Sequence, residues 1–139
     1  MKFKITDAIL LMPTLFFIVS CQSDESLEFK RYYSIGAEVY QARCQNCHGA
    51  NGQGLSALIP PLTDSVYLKN NKTSLPCYIR SGLKGAIIVN GKTFDDAMPA
   101  AGLSSMQIAQ VLTYVGNSFG NKIGTINQDQ VEADLKNCK

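Results

Sequence analysis

What this sequence lacks narrows its chemistry. It has one histidine, His48, and no second CxxC to match Cys44-Gln45-Asn46-Cys47. A structural zinc site takes four ligands at matched spacings, so zinc is short of donors here. Neither GxxxxGK[ST] nor GxGxxG occurs, and the glycine-rich stretch from Gly49 to Gly54 follows no strand, which leaves phosphate cradling unsupported. No basic run interleaved with aromatics is present, so the footprint of a nucleic-acid binder is missing. The N-terminal apolar run, Ala8 to Val19, is about twelve residues long and contains Pro13, too short to cross a bilayer comfortably.

That run is nevertheless informative. Lys2 and Lys4 precede it and Ser20-Cys21 follows, the layout of a signal peptide over residues 1–20. Ile18-Val19-Ser20-Cys21 resembles a bacterial lipobox, in which the cysteine is lipidated and becomes the new N-terminus. The alternatives are a plain secretory signal with a cysteine near its end, or a short uncleaved anchor. Residues 21–33 begin polar and acidic and read as a tether between lipid and domain. The chain carries 13 basic and 11 acidic side chains; losing Lys2, Lys4 and Asp7 with the leader leaves the domain close to neutral. The expected location is the periplasmic side of a bacterial membrane.

What remains centres on Cys44, Cys47 and His48. CxxCH is the attachment pattern for a c-type haem. If the helix expected from Ser34 to Cys47 is continuous, both thiols share one face and can reach the two vinyl groups of one porphyrin, while His48 offers a nitrogen to the iron. A lone CxxC also suits half a zinc site or a thiol redox motif, but the latter needs a βαβ context that the helical and glycine-rich flanks do not provide. Downstream, Ile59-Pro60-Pro61-Leu62 is rigid and non-helical. Proline lacks an N–H but keeps its carbonyl, so Pro60 can accept the second ring N–H of a ligating histidine.

The other axial ligand follows by elimination. One histidine excludes bis-histidine ligation within one chain, and Met1 and Met12 leave with the leader. Met106 falls in the first turn of a capped helix, where a core or surface role is ordinary. Met98 precedes Pro99, which biases it toward extended backbone and lets a thioether project. Methionine is more often core filler, yet beside CxxCH the expectation is a His48/Met98 pair. Such a pair raises the reduction potential relative to bis-histidine and leaves no open iron position, favouring electron transfer over catalysis.

Of the five cysteines, Cys21 is assigned to lipid and Cys44 and Cys47 to haem. Cys77 and Cys138 are left, and in an oxidising compartment leftover cysteines pair; the alternative is two separate buried thiols. A bridge closing about sixty residues contributes about 4 kcal/mol on the chain-entropy model. Along the chain, Ile35, Val39 and Ala42 recur at helical spacing on the first helix. Short helices are expected after Thr63 or Asp64 and from Ser74 to Gly82, and Asn90-Gly91 marks a hairpin turn. Lys92 to Gly102 reads as an irregular loop. Ser104 with Gln107 forms a capping box before Ile108, Val111, Leu112 and Val115. Asn127 with Gln130 starts a terminal helix that aims Cys138 at the domain.

Taken in order, Gly36, Tyr40, Cys44-x-x-Cys47-His48, Pro60-x-Leu62, Met98-Pro99 and Tyr114 resemble the class I c-type cytochromes over roughly Ser34 to Gly120. The resemblance implies an all-α fold of three to five short helices around one covalently bound haem c. It implies that the first and last core helices cross with Gly36 against Tyr114, and that Pro60 accepts from His48. The stretch Gly91 to Pro99 is similar to the ligand loop of small bacterial cytochromes that serve dehydrogenases, reductases or terminal oxidases. The lipobox, the Cys77/Cys138 pair and the extension 121–139 depart from that pattern. The resulting expectation is a lipid-anchored monohaem electron carrier and not an enzyme. The rival readings are a haem enzyme or gas sensor with a displaceable Met98, and a subunit of a larger respiratory complex.

Overall fold

The spacing of aromatic residues sets the first helix. Phe29, Tyr32, Tyr33, Gly36, Val39 and Tyr40 recur at three- and four-residue intervals and share one face. In a computed structural model that describes residues 24–138, this helix, α1, spans Asp24–Arg43. It therefore starts well ahead of the expected Ser34, and the segment expected as a tether is helical from Asp24 onward. Tyr32 is 4% exposed, and the Phe29 ring stacks on Tyr33 at 5.7 Å between centroids, contacts that extend the helix toward its N-terminus. The leader and Cys21 lie outside the described residues.

The inward face of α1 also differs from the expected one. Val39 is buried, but Ile35 is 36% exposed and Ala42 is exposed. Close approach at Gly36 sets this rotation: a Cβ there would strike the Gln110 backbone and come within 2.9 Å of the Tyr114 Cβ. α1 leaves helical geometry at Cys44 and resumes as one turn, α2, Gln45–His48. The helix expected through Cys47 is thus broken at its first cysteine, although the Cys44 N–H still donates to the Tyr40 carbonyl.

Two short helices follow. α3, Ser65–Asn70, is capped by Asp64, whose carboxylate accepts from the Val66 and Tyr67 N–H groups. α4, Leu75–Ser81, has Pro76 in its first turn and Gly82 at its end, as the sequence indicated, while Ser74 stands at the N-cap position without a capping bond from its side chain. The hairpin pairs β1, Ile87–Val89, with β2, Lys92–Phe94, antiparallel, Ile87 opposite Phe94. Its turn residues Asn90 and Gly91 both have positive φ, 50° and 71°, the conformation an Asn-Gly hairpin turn requires. Lys92 to Phe94 is therefore strand rather than irregular loop, because it completes the pairing that Ile87 to Val89 begins.

The remaining helices are placed by their caps. α5, Ser105–Val115, opens with the full Ser104/Gln107 capping box, and Leu103 and Ile108 are both buried beside it. α6, Gln128–Leu135, is capped by Asn127, which accepts from the Gln130 N–H. α5 crosses α1 and also carries α4 and α6, so the core lies around Ile108, Ala109, Val111 and Leu112. Thr113 Oγ1 donates to the Ile126 carbonyl and accepts the Ile126 N–H, which folds the segment after Gly120 back onto α5. Cys77 and Cys138 form a disulfide with Cα atoms 5.6 Å apart, tying α4 to the end of the described chain. The architecture is all-α with one small hairpin; among the described residues, no helix is long and apolar enough to cross a membrane.

Candidate haem-binding site

The CxxCH turn is held from both sides. Behind it, the His48 and Gly49 N–H groups donate to the Cys44 and Gln45 carbonyls, and the buried Tyr40 hydroxyl donates to the Gly49 carbonyl at 2.6 Å. Ahead of it, the Gly54 N–H donates to the His48 carbonyl and the Leu62 N–H to the Gly52 carbonyl. Gly52 is buried under the Phe119 ring, where a Cβ would come within 2.6 Å of ring carbon, and its φ of +63° also favours glycine.

These bonds deliver the Pro60 carbonyl to His48, with Nδ1 and the carbonyl oxygen 3.1 Å apart. A carbonyl only accepts, so Nδ1 carries the proton and Nε2 keeps its lone pair. Burial lowers the imidazole pKa, and the Pro60 bond offsets part of that shift, so the ring is neutral at pH 7. A neutral, oriented imidazole with a free nitrogen is the form that ligates a metal.

Cys44 and Cys47 are both free thiols, Cys44 half-buried against the core and Cys47 exposed. Burial, and then the neighbouring Cys47, push the Cys44 thiol up to about 11. A redox-active dithiol needs a thiol lowered toward neutrality; this one moves the other way. Among the described residues, no group of three or more His, Cys, Asp or Glu side chains is placed to hold a metal ion unaided. The donor set instead suits a metal that arrives inside its own macrocycle: two adjacent thiols for covalent attachment and one imidazole for the metal. Leu55 and Leu58, on the loop between His48 and Pro60, are each 53% exposed, apolar surface that the protein leaves uncovered.

Met98 is placed separately. Its N–H and carbonyl pair with those of Leu83 at 2.9 Å each, and its side chain is half-buried. Met106 packs against the core cluster, as its helical position suggested, whereas Met98 stands outside it. Among the described residues, no hydrogen bond joins Met98 to the His48–Pro60 unit. Gly82, whose Cβ would come within 2.5 Å of the Met98 carbonyl, lets α4 end against this segment.

Two features were missed from sequence. Tyr40 is the clamp behind the CxxCH turn, and burial, followed by the neighbouring Cys44, raises its phenol to about 12. Its seven-residue spacing from Tyr33 was the available signal. Asn121, buried beyond α5, donates to the Leu62 carbonyl across 59 positions of sequence, and nothing local marks it.

Residues 33–115 match the family described as "Cytochrome C oxidase, cbb3-type, subunit III". The chain is 33% identical over 91 residues to cytochrome c-552 of Thermus thermophilus, an alignment spanning 62% of this chain and 69% of that protein. Against a second cytochrome c-552 of the same species, the identity is again 33% and the share of the relative covered is 61%. The chain is 36% identical over 101 residues to the cytochrome c subunit of the quinone alcohol dehydrogenase of Gluconacetobacter polyoxogenes, covering 69% of this chain but 21% of that subunit.

Proposed function

This chain belongs to the class I c-type cytochromes, and on that premise we propose that it is a monohaem one-electron carrier held at the periplasmic side of a bacterial membrane by lipid on Cys21. A haem c bound here supplies a one-electron couple at its iron. Cys44 and Cys47 would hold it through thioethers, and His48 and Met98 would be the donors to its iron. With both donors from the protein, the iron would keep no position open to oxygen or peroxide, which favours carrying electrons over catalysis.

The observation that carries the reading is the His48 Nδ1–Pro60 bond beside two free thiols. It leaves Nε2 free to ligate a metal and would strengthen it as a donor. Met98 is supported by its anchored backbone and its position outside the core. The partners proposed are redox proteins such as a dehydrogenase, a reductase or a terminal oxidase; the dehydrogenase is supported by relatives named as alcohol dehydrogenase cytochrome c subunits.

A redox titration of the mature protein followed by absorption tests the assignment. One reversible one-electron transition is expected, with a weak band at the red end of the ferric spectrum that disappears in Met98→Ala. A colourless protein overturns the haem, and a band that survives Met98→Ala overturns Met98. Cys21→Ser is expected to release the protein from membranes, and continued attachment removes the lipid anchor.

A second reading, an electron-transfer subunit of a larger respiratory complex, is favoured by the description of the matched family and by the names of the dehydrogenase relatives. Isolation from detergent extracts separates the two. A free carrier comes away alone, whereas a subunit brings stoichiometric partners.

A further inference from the structure

We propose that Asn121 is a positioning residue for the His48 imidazole, acting through the backbone of Pro60 to Leu62. The inference rests on the haem-carrier reading above. Asn121 is 3% exposed, and its Nδ2 donates both to the Leu62 carbonyl at 2.8 Å and to the Val115 carbonyl at 2.9 Å. Its Oδ1 is buried without a partner among the described residues. Turning the amide over would aim that oxygen at two carbonyls, so the two donations fix the orientation despite the unfavourable burial of a free acceptor.

Leu62 is the point from which this segment can be held. Pro60 and Pro61 have no N–H to offer, so the segment is anchored by the Leu62 N–H, 2.7 Å from the Gly52 carbonyl, and by the Leu62 carbonyl on Asn121. Two residues back, the Pro60 carbonyl is the acceptor for His48. Because the prolines fix φ, displacement of Leu62 is transmitted to Pro60 rather than absorbed between them. The carbonyl that accepts from a ligating histidine sets its orientation and basicity. A more basic imidazole favours the oxidised metal, so loosening this bond moves the midpoint potential upward.

The test uses mature protein carrying haem. Asn121→Leu removes the donor at similar volume, and Asn121→Asp keeps the shape while setting acceptors against the two carbonyls. Thr113→Val is the control: it removes an equally buried pair of hydrogen bonds, to Ile126, from the same helix that Asn121 holds at Val115. Both Asn121 variants are expected to shift the midpoint potential upward and to displace the NMR resonances of the His48 ring. Thr113→Val is expected to lower the melting temperature and leave potential and resonances in place. Asn121 variants that melt earlier at unchanged potential and resonances overturn the proposal, as does a Thr113→Val that shifts both equally.

Should the Asn121 variants fail to fold, the unmutated protein still decides. Its Asn121 side-chain amide protons are expected to exchange with deuterium far more slowly than those of exposed Asn46, and equal rates overturn the proposal. Lack of pigment in the unmutated protein sinks the haem reading itself, an outcome distinct from pigmented variants at unchanged potential.

Discussion

The side of the molecule where α1 crosses α5 and the side carrying the loops around Pro60 and Met98 are held together by different means. At the crossing, side chains close on one another: Tyr33, Tyr40, Tyr114 and Phe119 lie with ring centroids 5.2 to 5.8 Å apart, and Gly36 admits the Gln110 backbone. On the loop side the bonds are mostly between backbone groups, Leu83 with Met98, Ala101 with Ile79 and Leu62 with Gly52, while Leu55, Leu58 and Ile88 remain more than half exposed. The crossing is complete as protein. The loops provide a backbone frame with apolar surface left over, the condition of a wall finished by a bound group.

Breaking the loop frame at its covalent staple has the largest expected effect on stability. Cys77→Ser combined with Cys138→Ser should lose about 4 kcal/mol in guanidinium denaturation, because the bridge closes a long loop in the unfolded chain. Pigment should be retained, since neither sulfur belongs to the CxxCH turn. A loss under about 1 kcal/mol would mean that the frame does not depend on the staple.

At the crossing, Gly36→Ala sets two effects against each other. Alanine gains about 1 kcal/mol in helix propensity, but its Cβ collides with the Gln110 carbonyl, an overpacking of about 3 kcal/mol. A net loss of about 2 kcal/mol with an unchanged absorption spectrum is expected. A spectral change would show that the two sides are coupled more tightly than their contacts indicate.

Tyr40→Phe probes the seam. Its hydroxyl is the donor to Gly49, where the helix side meets the CxxCH turn, and removing it should destabilise by about 1.5 kcal/mol. The smallest effect is expected at Asp64, which caps α3 and also accepts from the Asn90 N–H of the hairpin turn. The Tyr67 N–H lowers its pKa most; burial opposes this, and the Asn90 and Val66 N–H groups add to the lowering. A carboxyl depressed on folding contributes stability above its unfolded pKa, and that contribution is lost as pH falls through the folded value. Asp64→Asn should therefore lower the melting temperature slightly near pH 7, and the difference from the parent should vanish as pH falls through the folded pKa, which flattens the acid limb.

The sequence was most legible where one residue's chemistry decides a local shape. Ser104 with Gln107, Asn127 with Gln130, Asn90-Gly91 and the Cys44–His48 turn with Pro60 downstream all appear where the chain announced them. It was least legible where contacts cross long separations. The close approach at Gly36 was expected against Tyr114 and is found there, but nothing near Ile35 reveals that it turns Ile35 toward solvent. Nothing near Asp24 shows that Tyr32 has a buried place waiting, so the helix looked shorter than it is. Asn121 sits in a link that reads as spacer, and its role depends on a carbonyl far away in the chain.

The Tyr40 phenol has a consequence for where charge can sit. Its hydroxyl points at a carbonyl oxygen, which can accept a hydrogen bond but is too weak a base to take up the proton. A phenol that cannot shed its proton is hard to oxidise, and this one, at about 12, holds it more firmly than usual. Tyr40 therefore keeps its proton through the ordinary pH range, so the seam behind the CxxCH turn carries no phenolate charge there.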